Sequence, residues 1–143
     1  VHNTAPGHLS IACRNHGIST AIAAGPQTVS AALLEAMLLL QKSCSTVALV
    51  LADEELPAVF DDRFPSLAVC LLLHAEPTSK RLCTLDNLRI AQDIAPAPIP
   101  RFTGNPIAPA ASLLQAIVAE QGGPHRLDLE GDEGWCVSLS FPK

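Results

Sequence analysis

Residues 17–40, GISTAIAAGPQTVSAALLEAMLLL, constrain the fold more than any other stretch of the chain. Residues 18–23 read as a short buried strand, and Ala23, Ala24, Gly25 and Pro26 as a tight turn of small residues. A helix follows in which Val29, Ala31, Ala32, Leu33, Leu34, Ala36, Met37, Leu38, Leu39 and Leu40 leave only Ser30, Glu35 and Gln41 clearly polar. A helix that is apolar nearly all round belongs in an interior rather than on a surface. Residues 46–52, TVALVLA, then read as a second strand. Strand, tight turn, buried helix and strand make a βαβ unit, whose crossover helix packs on a parallel sheet. The expected fold class is therefore α/β, with a mixed, mostly parallel sheet around a buried central helix.

A turn at the carboxyl end of a strand, opening into a buried helix, is a common seat for a nucleophile or an anion. This turn carries Gly25, Pro26 and Gln27, and neither Ser nor Cys. Proline sits comfortably in a first helical turn because its φ is preset and its missing N–H would be unpaired there. Taken alone, these residues are explained as a well-made helix start.

Several short matches in order add to that reading. Asn3-Thr4-Ala5-Pro6-Gly7, Gly17-Ile18-Ser19 and Ala24-Gly25-Pro26-Gln27-Thr28 follow one another with the long apolar helix behind them. Together they resemble the N-terminal half of a β-ketoacyl synthase of the thiolase fold. That family shows an N-x-A-A-G-x-I segment, then G-P-S, a strand, and T-A-C-S-S at its nucleophile turn. The opening Val1-His2-Asn3-Thr4 and the run Leu33-Leu34-Glu35-Ala36 are similar to a short, divergent subgroup, the chain length factor proteins of bacterial aryl polyene type II systems. The resemblance covers residues 1–73 and rests on no single diagnostic motif.

Where the chain departs from the family decides what the resemblance implies. Ungapped placement of the Gly17 match puts the family's nucleophilic cysteine on Pro26, which has no thiol to form an acyl thioester. Proline also lacks the backbone N–H that, in the family, helps bind the oxyanion. A shift of one residue puts Gln27 there instead, as in classical chain length factors. Either register implies a subunit unable to perform Claisen condensation. None of the five cysteines lies on the turn, and the stretch after residue 94 is too short for the second α/β half that carries the family's histidines and gate loop. Ala24, Gly25, Pro26 and Gln27 are thus expected as a vestigial nucleophile turn, a wall without chemistry. His2 and Asn3 are candidates for an interface or support role. Glu35, in an apolar helix, requires a partner, a structural salt bridge being the simplest.

Composition excludes other classes. Aromatic residues make up 3% of the chain, tyrosine is absent and the net charge is −5, which argues against nucleic-acid binding. Hydrophobic residues at 48% against 16% charged suggest surface covered by a partner. No apolar run reaches the length of a membrane span and no signal peptide is visible. The chain starts at Val1, so further native sequence is expected upstream. The odd cysteine count without C-x-x-C spacing reads as buried, reduced thiols of a cytoplasmic protein. The histidines form no H-x-x-x-H or mixed Cys/His cluster, so neither a metal nor a cofactor is expected.

Along the chain, a short helix is expected around residues 7–13. Residues 53–65 read as an acidic solvated loop that would repel an acidic acyl carrier protein. Residues 66–74, SLAVCLLLH, read as a buried strand, and residues 81–92, RLCTLDNLRIAQ, as a strand on a sheet edge. Residues 95–109, with five prolines, read as a linker between a core of residues 1–94 and a C-terminal helix and β-hairpin of residues 110–143. In that last part, residues 110–121 form the helix, stopped by Gly122-Gly123-Pro124. The hairpin strands are RLDLEG and WCVSLSF. Nothing around His125 matches a family histidine.

The expected function is a non-catalytic subunit that pairs with an active β-ketoacyl-ACP synthase, meets the acyl carrier protein only indirectly, and helps shape the acyl tunnel. The thiolase fold normally has several elements before this point, and without them this piece is expected to need a companion fragment or partner subunit to be stable. Two other readings stay open: an independent enzyme acting on acyl thioesters through Glu35, His2 or His16, and a generic α/β scaffold module.

Overall fold

The computed structural model describes residues 4–42, 44–55, 57, 59, 64–97, 99–128 and 132–142. Among them the elements run α1 (Thr4–Ala12), a 3-10 turn (Gly25–Gln27), α2 (Thr28–Lys42), β1 (Thr46–Asp53), β2 (Leu67–His74), β3 (Thr84–Ala91), a second 3-10 turn (Pro100–Phe102), α3 (Ala108–Val118), β4 (Gly123–Arg126) and β5 (Gly134–Ser140). None of these helices is long and apolar enough to cross a membrane.

The α2 segment is rich in Ala and Leu, the strongest helix formers, and ends with Lys42 in its last turn, where a cation opposes the helix dipole. One face is buried, through Val29, Ser30, Ala32, Leu33 and Ala36. Leu34 and Leu38, at 37% and 39% exposure, face outward, so the expectation of burial all round is corrected. Among the described residues the neighbours of α2, β1 and the residues around Asp128, cover the face of Val29, Ser30, Leu33 and Ala36 and leave Leu34 and Leu38 to solvent.

The mostly parallel sheet is also corrected. β1 and β2 pair antiparallel from Thr46↔His74 to Asp53↔Leu67, and β3-β5-β4 form a separate antiparallel sheet. Parallel neighbours need a long crossover, usually helical. Here no helix lies between β1 and β2 among the described residues, so the chain returns alongside itself. The strand expected at residues 18–23 is absent. That segment takes no regular structure, and Ile18 and Ile22 are exposed. A strand exists only where an edge pairs its amides and carbonyls, and among the described residues no strand pairs with this segment. The βαβ unit is therefore not closed.

Alternation along β1 and β2 decides their faces. Leu49, Leu51 and Val69 point into the core, while Val50 and Leu72 point outward at 56% and 63% exposure. β3 lies at a sheet edge, as expected, and is interrupted by a bulge between Asp86 and Arg89, with Asn87 at φ 52°. A bulge of this kind blunts an edge against further pairing. β5 is the central strand and buries Cys136, Val137 and Leu139.

The last helix ends earlier than the glycines suggested. Glu120 adopts the left-handed conformation at φ 53°, Gln121 N–H donates to the Ala116 carbonyl at 2.9 Å and Glu120 N–H to that of Ile117 at 3.2 Å. This is a Schellman stop built on glutamate. It frees Gly123 and Pro124 for β4, so that strand forms at Gly123–Arg126 rather than from residue 126 onward. Residues 129–131 of the expected strand lie outside the described residues.

A single buried cluster joins Val29 and Leu33 of α2, Leu49 and Leu51 of β1, Val69 of β2, Ala110, Leu113 and Ile117 of α3, and Leu127, Val137 and Leu139 around the hairpin. The proline-rich stretch is tied into it. Asn105 is fully buried, donates to the Pro65 carbonyl at 3.0 Å and accepts from Ile107 N–H at 2.9 Å. Its two hydrogen bonds satisfy a side chain that would otherwise be costly to bury.

Candidate functional site

The turn before α2 is held locally by two backbone donors. Ala24 N–H donates to Thr28 Oγ1 at 3.0 Å, and Gln27 N–H to the Ala24 carbonyl at 3.1 Å. Gly25 enters the 3-10 turn at φ +56°, a left-handed backbone that glycine adopts without strain. Pro26 follows it at the start of that turn. All four expected turn residues, Ala24, Gly25, Pro26 and Gln27, are solvent-exposed.

Ala24, Pro26 and Gln27 form one wall of a cleft of about 350 Å³. The opposite wall comes from Ile90 of β3 and from Asp128, Glu133, Gly134 and Trp135 of the C-terminal hairpin. Ile90 and Glu133 also line an adjoining cleft of about 380 Å³, together with Arg89, Gln92 and Asp93. Gln92 Nε2 donates to Glu133 Oε2 at 3.3 Å across that second space.

Asp128, which lines the first cleft, is one half of a buried hydroxyl–carboxylate pair. Ser30 Oγ, in the first turn of α2, donates to Asp128 Oδ1 at 2.6 Å. Asp128 Oδ2 accepts from Trp135 N–H, also at 2.6 Å. Ser30 and Asp128 are 2% and 5% exposed. Beside them Arg126, 6% exposed, donates to the carbonyls of Glu133 at 3.0 Å and Ile94 at 3.3 Å.

At 2% exposure the Ser30 hydroxyl is closed off from solvent, and its proton is directed to the Asp128 carboxylate. Among the described residues the imidazoles with hydrogen bonds are engaged elsewhere, His74 with Thr46 Oγ1 at 3.1 Å and His125 with the Gln121 carbonyl at 3.0 Å. No cysteine lines either cleft. Cys136 is buried in β5, and burial, with the Asp128 carboxylate adding to it, raises its thiol pKa against the lowering effect of Arg126 and Arg89. Burial raises that of Cys83 as well. No group of three or more His, Cys, Asp or Glu side chains among the described residues is arranged to hold a metal ion.

Of the other residues singled out from sequence, Glu35 is half-buried on α2 and lines neither cleft. No hydrogen bond or ion pair joins its side chain to another described residue, so the structural salt bridge expected for it is not formed among them. Its partial exposure explains this, because water solvates the carboxylate. His16 is exposed in the segment after α1. His2 and Asn3 lie outside the described residues. The residues that sequence reasoning missed are Asp128 and Trp135, with Ser30 seen only as a polar interruption. A serine facing the same way as Val29, Leu33 and Ala36 was the available signal, because a buried hydroxyl requires a partner.

Residues 1–121 match the family model of the β-ketoacyl synthase N-terminal domain, a longer span than the 73 residues over which the motifs were evident. No curated protein and no solved structure matches the chain. The matched span holds α1, α2, β1, β2, β3 and α3, and the whole hairpin of β4 and β5 falls after it. With residues 1–121 of 143 matched, this chain belongs to the β-ketoacyl synthase N-terminal domain family, in a version whose described sheets are antiparallel.

Proposed function

We propose that this chain is a non-catalytic, chain-length-factor type of subunit. It pairs with an active β-ketoacyl-ACP synthase in the cytoplasm and helps shape the acyl tunnel in aryl polyene biosynthesis. The observation that carries the reading is the cleft wall. Pro26 and Gln27, the two residues on which the family's nucleophile can fall, both face the cleft, and neither offers a thiol. A wall of proline, alanine and glutamine can limit the length or path of a chain without reacting with it.

Exposed apolar surface supports the pairing. On the outer face of β1 and β2, Ala48, Val50 and Ala52 lie opposite Leu72, Cys70 and Ala68. Leu34 and Leu38 add a second apolar strip on α2. Apolar surface of this kind on a small chain is usually covered in its assembly.

Co-expression with the synthase of the same pathway, followed by size-exclusion chromatography with light scattering, tests the proposal. A co-eluting complex of equal numbers of the two chains is expected. A well-folded monomer that ignores the synthase refutes it. Within the complex, condensation depends on the synthase's cysteine and survives Pro26→Ala, with any change confined to product length.

A further inference from the structure

Residues 122–143 lie beyond the family match, yet they supply half of the cleft. The link between the two parts is Asp128. A carboxylate at 5% exposure is costly unless both oxygens are engaged, and here both are. One accepts from Ser30 Oγ and the other from Trp135 N–H, each at 2.6 Å. Ser30 Oγ lies also 3.0 Å from the Gln27 carbonyl oxygen. Its single proton goes to the carboxylate, where the bond is shorter and charge-assisted. A continuous path thus runs from the backbone of Trp135 on one wall, through Asp128, to Ser30 in the first turn of α2, which follows the Pro26–Gln27 turn of the other wall directly along the chain.

The packing around this path leaves no slack. A Cβ on Gly134 would lie 3.0 Å from Asp128 Oδ2 and 2.8 Å from Arg126 Nε. The hairpin can sit this close to the carboxylate only because residue 134 is glycine. Two short, directional bonds to one rigid carboxylate set the spacing of the walls more closely than apolar contact would.

We infer that Asp128 is a positioning residue: acting through Ser30, it fixes the Pro26–Gln27 turn against Trp135 and so sets the width of the cleft. The C-terminal hairpin is then part of the site and not an appendage to the family domain. The inference rests on the proposed function only for the meaning of the turn as a tunnel wall. Its geometry and its test involve no synthase.

The test is amide hydrogen exchange by NMR on the 143-residue chain, comparing Ser30→Ala and Asp128→Ala with the parent. Exchange at Gln27 N–H should accelerate by about tenfold in both variants, while Leu49 and Val137 in the two sheets stay within about twofold, as for a local opening. Trp135 is the only tryptophan, so its emission reports the same wall, and it should shift in Asp128→Ala. An unchanged Gln27 rate overturns the inference, and so does equal acceleration at every amide, which would mean a general loss of stability. If Asp128→Ala does not fold, Ser30→Ala decides alone, because it removes one hydroxyl from the path and leaves the carboxylate bonded to Trp135. Failure of the chain to pair with a synthase leaves this result untouched.

Discussion

Truncating Leu33 and Leu38 to alanine, separately, measures how far α2 is buried. The two residues share a helix and a side chain but differ in surroundings. Leu33 is 1% exposed and belongs to the central cluster, whereas Leu38 is 39% exposed. Removing Leu33 leaves a cavity that close-packed neighbours fill only in part, so Leu33→Ala should cost about 3–4 kcal/mol. Water already reaches Leu38 and fills what the truncation removes, so Leu38→Ala should cost about 1 kcal/mol. For a chain of this size the urea dependence is about 2 kcal/mol per M, so the midpoints should fall by about 1.5–2 M and about 0.5 M respectively. Urea unfolding followed by circular dichroism on the purified chain is the assay. Equal losses for the two variants would refute the one-sided packing of α2 and restore the helix buried all round that its composition suggested.

Three further outcomes follow from other parts of the fold. Glu120→Gly should stabilise the chain by about 1 kcal/mol, visible as a rise of about 4 °C in melting temperature, because glycine adopts the left-handed helix stop without a Cβ penalty. Gly134→Ala should destabilise it by about 1–3 kcal/mol and shift Trp135 emission, since the new Cβ would press on Arg126 and Asp128; a neutral result would contradict the close approach of hairpin and carboxylate. Stability should also decline as pH rises through the ordinary thiol range. Burial raises the pKa of Cys136 in the folded chain, so the unfolded chain releases that proton first and gains relative stability as the solution turns alkaline. The slope should flatten in Cys136→Ala, and an unchanged slope would place the alkaline sensitivity elsewhere.

Much of the local structure was legible in the residues. The apolar runs of α2 and β2, the partial alternation of β3, the strand β5 and the amphipathic helix α3 were all read from local pattern. The short ordered motifs around Asn3, Gly17 and Gly25 pointed to the family whose model covers residues 1–121. The missing thiol at Pro26 and Gln27 was equally visible, because a side chain's chemistry needs no fold to be read.

What sequence could not reach were the decisions made between distant segments. Residues 18–23 have the composition of a strand, but a strand needs an edge that pairs with it, and among the described residues neither sheet pairs with this segment. Whether β1 runs parallel or antiparallel to its neighbour depends on how the chain returns, which alternation within β1 cannot report. The Schellman stop at Glu120, against two nearby glycines, arose because β5 draws Gly123 and Pro124 into β4. The cleft belongs to the same class. Ser30 and Asp128 stand 98 positions apart, and each alone is an ordinary polar residue. Only the packing of the hairpin against α2 removes both from water, and that loss of solvent makes their hydrogen bond strong enough to hold the two walls of the site together.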